Sequence, residues 1–498
     1  MSAVLVALLA VPLAGAALTL LPAVRRVAVH LGIAASVLDL ALAVALAAGF
    51  AYDTPGRMQY DLDVSWVPAI GLRFHLGVDG VSLPLIVLTA LLTALCLVYL
   101  RRYLPEPGRP RALVGLLLLL EVGMIGTFCA LDLLLFFVFF EVVLIPMYFV
   151  IAVWGGPARA AAATKFILFT LLGSAVLLVG LLLVYAESGT LDIVALAARH
   201  GAGLPHGVQV AAFALIGVGL AVKAPMWPLH TWLPDAHTEA PTVGSVLLAG
   251  VLLKMGTYGF VRIAVPVVPE GAAVLAPYLG AFAVAGILYG ALACLAQRDL
   301  KRMIAFSSVG HMGFVLLGVA TLTPVGMNAA LFANIGHGLI TGLLFFLAGS
   351  IKERYGTADM VRLGGGMLAK IPRLGGLLTF AAVASLGLPG LAGFWGDVLA
   401  LYGAFRPSEA LSRPLFLVFM ALGGVGTVLT AAYFLRMLAR VTHGRVSEAW
   451  RPIRLADVTA IELTAWVPLV AATLLVGLWP KFLLAITDPA VHLLLGAP

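Results

Sequence analysis

The chain has 498 residues, of which 62% are hydrophobic and only 11% charged, and its mean hydropathy is +1.10. So few charges cannot cover a water-soluble surface, and the apolar runs are long and continuous rather than alternating, which selects helices over a barrel: the chain reads as an all-α polytopic membrane protein. The net charge of +7 reports membrane topology and not nucleic-acid binding, because no basic run carries interleaved aromatics outside the loops.

At roughly 20 apolar residues per crossing, the sequence predicts about fourteen helices. Their approximate spans are 3–22, 27–50, 79–100, 112–130, 132–154, 161–185, 208–234, 242–265, 275–297, 303–320, 326–350, 372–405, 414–438 and 457–479. The first is read as a span and not a cleaved signal, because Arg25 and Arg26 follow the apolar run instead of preceding it. The seventh and twelfth exceed one crossing and carry internal prolines, Pro225 and Pro389, that break a helix. Of the thirty lysines and arginines, 21 fall after odd-numbered helices, seven lie on the opposite side, and Lys223 and Lys254 lie within spans. This bias predicts both termini on the outer, periplasmic face of a bacterial inner membrane. The two breaks lie five helices apart, an odd offset that reverses direction. Helices 4–8 and 9–13, roughly residues 112–265 and 275–438, are therefore expected to be inverted repeats within one integral membrane domain over 1–498.

Intramembrane charge is costly, by roughly 3 kcal/mol per residue on insertion scales, and by default marks a site or pathway. Glu141 stands in LLLFFVFFEVVLIPMYF near the middle of helix five. Lys223 precedes Pro225 by two residues, where the broken helix leaves a carbonyl free to hold polar partners. Lys254 is twelve residues into helix eight, about 18 Å deep at 1.5 Å per residue, and starts a polar stripe with Thr257, Tyr258 and Arg262. On helix eleven Asn334, His337 and Thr341 share one face. Histidine suits proton relay because it titrates near neutrality. His311 sits in a similar setting nearer the surface. His230 and His237 are expected at a hydrated turn between helices seven and eight. Asp397 follows the Pro389 break on the outward half of helix twelve, the best place for release to the outer face. Glu121, on helix four, has no marked neighbour, and Asp132 reads as a structural turn residue.

Other patterns are missing. There is no Walker A sequence, no dinucleotide-binding glycine motif and no histidine pair spaced for haem on facing helices. Cys96, Cys129 and Cys294 are isolated in apolar segments without a Cys-x-x-Cys pair, so they read as small buried hydrophobes, not cluster ligands. No metal site is expected, and whatever drives transport must lie on another chain or in an ion gradient.

The run KAPMWPLHTWLPDAHTEAPTVGSVLLAGVLLKMGTYGFVR, from Lys223 to Arg262, closely resembles the antiporter-like subunits of respiratory complex I, the NADH–quinone oxidoreductase. FHLGVDGVSLPLIVLTALLT, FFVFFEVVLIPMYFVIAVWGG and RDLKRMIAFSSVGHMGFVLLG agree, and the wording is most similar to the subunit M group, counterpart of mitochondrial subunit 4. The resemblance covers nearly the whole chain. It implies that Glu141 and Lys223 form a glutamate–lysine pair, that Lys254 is the central lysine, and that His337 is a relay histidine. Asp397 takes the position of a terminal acid that is usually glutamate. Being one methylene shorter, it is expected to reach the relay through a bridging water. The implied function is proton translocation driven by electron transfer elsewhere. NADH, FMN, iron–sulfur clusters and quinone are expected on partner subunits, and neighbouring antiporter-like subunits and the bilayer are the expected contacts. A multisubunit sodium/proton antiporter or membrane-bound hydrogenase subunit, or a non-pumping scaffold, are the alternatives.

Overall fold

The computed structural model describes residues 2–496, and most of that backbone is helical. In hydrocarbon each backbone N–H and C=O needs a partner within its own segment, and a helix supplies one. Among the described residues, twelve helices are long and apolar enough to cross a membrane. Two further apolar segments fall short of that length. One is α1 (Ser2–Thr19) and the other is the pair α19 (Pro372–Ser385) and α20 (Ala392–Phe405). Counted as one crossing each, they bring the tally to the expected fourteen; by length alone it is twelve.

The chain begins with α1, α2 (Ala28–Ala48), α3 (Leu83–Leu100) and α4 (Pro110–Cys129), which pack on one another. Residues 51–78, expected as loop, contain an antiparallel hairpin of β1 (Gln59–Val67) and β2 (Leu72–Val78). Gly71 turns it in the left-handed region, and Leu76 bridges to Ala130 at the end of α4.

The expected fifth helix is two pieces, α5 (Leu133–Val142) and α6 (Leu144–Trp154). Pro146 has no N–H to offer the carbonyl of Val142, so the ladder opens around Val143, two residues after Glu141. After α7 (Arg159–Ser188) and the short α8 (Ile193–Arg199), α9 (His206–Lys223) stops at Lys223, and a separate α10 (Trp232–Glu239) follows the Pro225 and Pro228 break. The seventh span, 208–234, is thus broken at Pro225 as expected, and its second part is the short separate helix α10.

The next helix, Thr242–Val267, is wholly buried. It alternates α11 (Thr242–Leu247), α12 (Leu253–Gly259) and α13 (Val265–Val267) with two π-helical segments, Leu248–Leu252 and Phe260–Ala264. Around it stand α14 (Pro269–Ala296), α15 (Leu300–Ala320) and the mostly buried α16 (Pro324–Tyr355). Short turns α17 (Met360–Leu363) and α18 (Met367–Lys370) lead to α19 and α20, followed by α21 (Arg413–Val441) and α22 (Ala460–Leu478). A last helix, α23 (Lys481–Leu495), was not expected. It is amphipathic and too short to span, and it joins α16 through Thr487 Oγ1 donating to Asn328 Oδ1 at 2.6 Å and Asn328 Nδ2 donating to Asp488 at 2.7 Å.

One arrangement occurs twice. Asp132 pairs with Asp192 in an isolated antiparallel bridge, and Asp299 pairs with Asp359 in another. In each case both aspartates cap the helix that follows, accepting from its first backbone N–H groups. Asp132 is thus the structural turn residue expected. Five crossings separate the turn after α4 from the turn after α14, so the two bridges lie at opposite ends of the bundle.

Candidate functional site

Glu141 and Lys223 come together where two helices are broken. Lys223 is buried at the end of α9, and its ammonium lies over the Phe140 ring, 4.6 Å from the centroid. An aromatic face offers a desolvated cation partial compensation. Glu141, half-buried, hydrogen-bonds to Ser174 of α7 and interacts electrostatically with Lys223, but the two form no contact ion pair. Phe140 sits between the roles, holding the ammonium while the carboxylate turns to Ser174.

Lys254 is fully buried on α12. The π-helical segment before it releases carbonyls from the regular ladder, and Lys254 Nζ donates to one of them, that of Ala249. The same Nζ lies 2.6 Å from His337 Nδ1 on α16. With the ammonium donating to Nδ1, the neutral ring carries its hydrogen on Nε2, which faces Ser308 Oγ of α15 at 3.2 Å. Thr257 Oγ1 donates to Asn334 Oδ1 at 3.0 Å, one turn from each, and holds α12 and α16 in register.

From His337 the polar groups continue. The His311 and His337 rings are 5.5 Å apart, and His311 Nε2 lies 3.0 Å from Ser385 Oγ at the end of α19. His311, His337, Thr341, Ser385, Gly393 and Asp397 line a cavity of about 20 Å³. That is room for about one water molecule among several polar partners. Asp397 therefore reaches the histidines across this small space, and the break between α19 and α20, turned by Gly387 and Gly390 in the left-handed region, makes the opening.

The remaining histidines depart from expectation. His237 lies within α10 with no exposed surface, stacked on Phe345 at 4.5 Å, and is not at a hydrated turn. Both its ring nitrogens lack a hydrogen-bond partner, and Lys254 and Lys301 both act on it electrostatically. His230 is also buried, edge-on to Tyr289 at 4.9 Å, and does not join the central line. Glu121 does have a neighbour: Asp39 of α2, equally buried, interacts with it. The sequence signal for this pair is Asp39, a single aspartate in a leucine- and alanine-rich span.

Two cations counted as loop residues are buried. Lys301, in the first turn of α15, donates to the Ala240 carbonyl and lines a cavity of about 310 Å³ with Tyr99, Arg102, Glu106, Glu239 and Lys352. Arg262, in the second π-helical segment, pairs with Asp79 and donates from Nε to the Tyr258 hydroxyl at 3.0 Å. Tyr258 in turn donates to the Phe128 carbonyl at 3.0 Å. Arg262 therefore leaves the tally of outer-side charges and stands in the buried stripe that its spacing from Lys254 and Tyr258 predicts.

Known proteins are similar to this chain in sequence and fold. Residues 130–430 match the family described as NADH:quinone oxidoreductase/Mrp antiporter, transmembrane. NADH-quinone oxidoreductase subunit M of Rhodobacter capsulatus is 40% identical over 481 residues, covering 94% of this chain and 91% of that protein. The subunit M of Rickettsia bellii is 37% identical over 435 residues, 86% of this chain and 85% of its own length. A chain of respiratory complex I from Thermus thermophilus superposes with a TM-score of 0.87 at 31% identity, over 99% of both chains. A chain of the Mrp complex from Dietzia has the same fold, with a TM-score of 0.86 at 24% identity over 99% of this chain and 97% of that one. This chain belongs to the NADH:quinone oxidoreductase/Mrp antiporter family of membrane subunits.

Proposed function

We propose that this chain is a proton-pumping membrane subunit of an NADH–quinone oxidoreductase, with its redox centres on partner subunits. The observation that carries the reading is the line Lys254–His337–His311–Ser385–Asp397: 2.6 Å from lysine to the first histidine, 5.5 Å between the two histidine rings, 3.0 Å from His311 to serine, and a one-water cavity before the carboxylate. Protons enter from the cytoplasmic side, load Lys223 or Lys254, cross by His337 and leave through Asp397 to the outer face. Lys301 and His237 stand between the 310 Å³ cavity and Lys254 and supply the loading side. Both termini lie on the periplasmic side of a bacterial inner membrane.

Glu141 is the control. Desolvation disfavours a charged lysine and a nearby carboxylate favours it. Glu141 close to Lys223 keeps the ammonium; Glu141 held by Ser174 frees the proton to move on. Translocating one charge against 100 mV takes roughly 2.3 kcal/mol. Making or breaking one partly buried pair near 4 Å is worth about 4 kcal/mol at an effective dielectric of 20, so one rearranged pair is sufficient.

Inverted repeats of helices 4–8 and 9–13 fit this reading. The duplicated aspartate bridges at opposite ends support it, as do the breaks at Pro225 and Pro389. An antiporter or hydrogenase subunit would share the fold. Among the superposed structures, the identity of 31% to the complex I chain against 24% to the Mrp chain favours the former. A scaffold would have no use for so many desolvated charges. Glu141→Gln removes the controlling charge while keeping the side chain's shape. The assembled complex carrying it should oxidise NADH yet fail to acidify the far compartment of proteoliposomes. Undiminished acidification would overturn the proposed role of Glu141.

A further inference from the structure

The basic end of the bundle carries a groove unrelated to the proton line. It runs between α1, α4 and α6, has a volume of about 530 Å³, and is walled by Leu13, Ala16, Leu20, Gly115, Leu119 and Phe149. Leu13, Leu20 and Phe149 are half or more exposed or nearly so, so the groove opens sideways from the bundle. From Arg109 to Leu119 along α4 is about 15 Å at 1.5 Å per residue, one leaflet of a hydrocarbon core about 30 Å thick.

The rim is cationic. Arg109 lines the mouth itself. Its backbone is held at φ 52°, a left-handed conformation that is strained for arginine, immediately before Pro110. Trp154 Nε1 donates to the Gly108 carbonyl at 2.7 Å and fastens this strained turn over the end of α6. Arg25 and Arg26 are exposed in the turn Pro22–Arg26, which packs on α1 and α4 at the same end. Arg111 is committed elsewhere: it donates to the carbonyls of Thr19 and Leu20 and closes the end of α1. Arg109 at the mouth, and Arg25 and Arg26 exposed on the adjoining turn, form no salt bridge among the described residues.

We infer that this groove is a binding site for an anionic phospholipid, acyl chains in the trough and phosphate at Arg109, Arg25 and Arg26. The trough walls offer apolar contact and the rim offers charge-assisted hydrogen bonds to phosphate oxygens. A free phosphate would match the rim alone, and a zwitterionic lipid would match the trough but leave the arginines without a net counter-charge. The inference rests on the membrane embedding of the chain and not on the proton-transfer reading.

The test uses the full chain in its purified complex, stripped with detergent and re-equilibrated with equal phosphatidylglycerol and phosphatidylcholine. A photoreactive benzoylphenylalanine in place of Leu13, an exposed wall residue, reports what lies in the groove. The wild-type groove should capture phosphatidylglycerol preferentially. Replacing Arg25, Arg26 and Arg109 by glutamine should erase that preference, by about five-fold per arginine. Ala17→Phe with Ala112→Phe, both at exposed positions, should fill the trough and abolish retention of either lipid. Equal capture of both lipids by the wild type would overturn the inference. So would crosslinking of the reporter at Leu13 to a neighbouring subunit, or displacement of phosphatidylglycerol by inorganic phosphate alone.

Discussion

Asp397 shows how one side chain depends on its surroundings. The aspartate on α20 shares a cavity with the two histidines, with room for about one water molecule. The carboxyl group matters to the proposed exit, whereas its exact reach is buffered by that space. Asp397→Asn should reduce proton translocation to background in proteoliposomes. Asp397→Glu should retain most of it, since the longer arm fills volume already open. Equal loss in both variants would mean that geometry and not titration dominates at this position. Lys223, Lys254 and His337 were legible in the sequence because a charge in an apolar run has few harmless explanations. Lys301 was not, because a lysine one turn inside a helix looks the same whether it reaches water or, as here, turns inward to the Ala240 carbonyl.

Among the elements, the helix Thr242–Val267 links the most parts of the site. Its first π-helical segment feeds a carbonyl to Lys254, and its second carries Arg262 to Asp79 in the segment before α3. Both partners of that pair are fully buried. Removing one partner leaves an uncompensated charge, at a cost of about 3–5 kcal/mol, while replacing both by apolar groups is often tolerated. Arg262→Met alone should therefore lower the complex's thermal stability in detergent severely, and Arg262→Met with Asp79→Leu should recover much of it. Failure of the double variant to recover would assign the pair a role beyond holding α3 to this helix. The break of α9 at Lys223 was legible from Pro225, and that of α19 from Pro389. The break between α5 and α6 was not read, although Pro146 was visible, because the helix continues in nearly the same direction after one irregular residue.

At the scale of the whole molecule, the positive charges concentrate at one end of the bundle, and this orients it. Ser65, on β1, and Glu448, in the segment after α21, are exposed at opposite ends by the alternation of spans. The three native cysteines are buried, so single cysteines at these two positions can be labelled selectively. An impermeant maleimide added to right-side-out vesicles should label Ser65→Cys and spare Glu448→Cys; the reverse pattern would invert the proposed topology. By itself the sequence determined the class, the approximate crossings and the costly charges, because hydrocarbon imposes those on any chain through length, hydropathy and desolvation. Only the tertiary structure decided which charges meet. Lys254 joins His337, and Asp397 reaches His311, across intervals of more than 80 residues. Which helix faces touch depends on packing between segments that are apolar on nearly every side, and such segments carry no periodic pattern from which a contact face could be read.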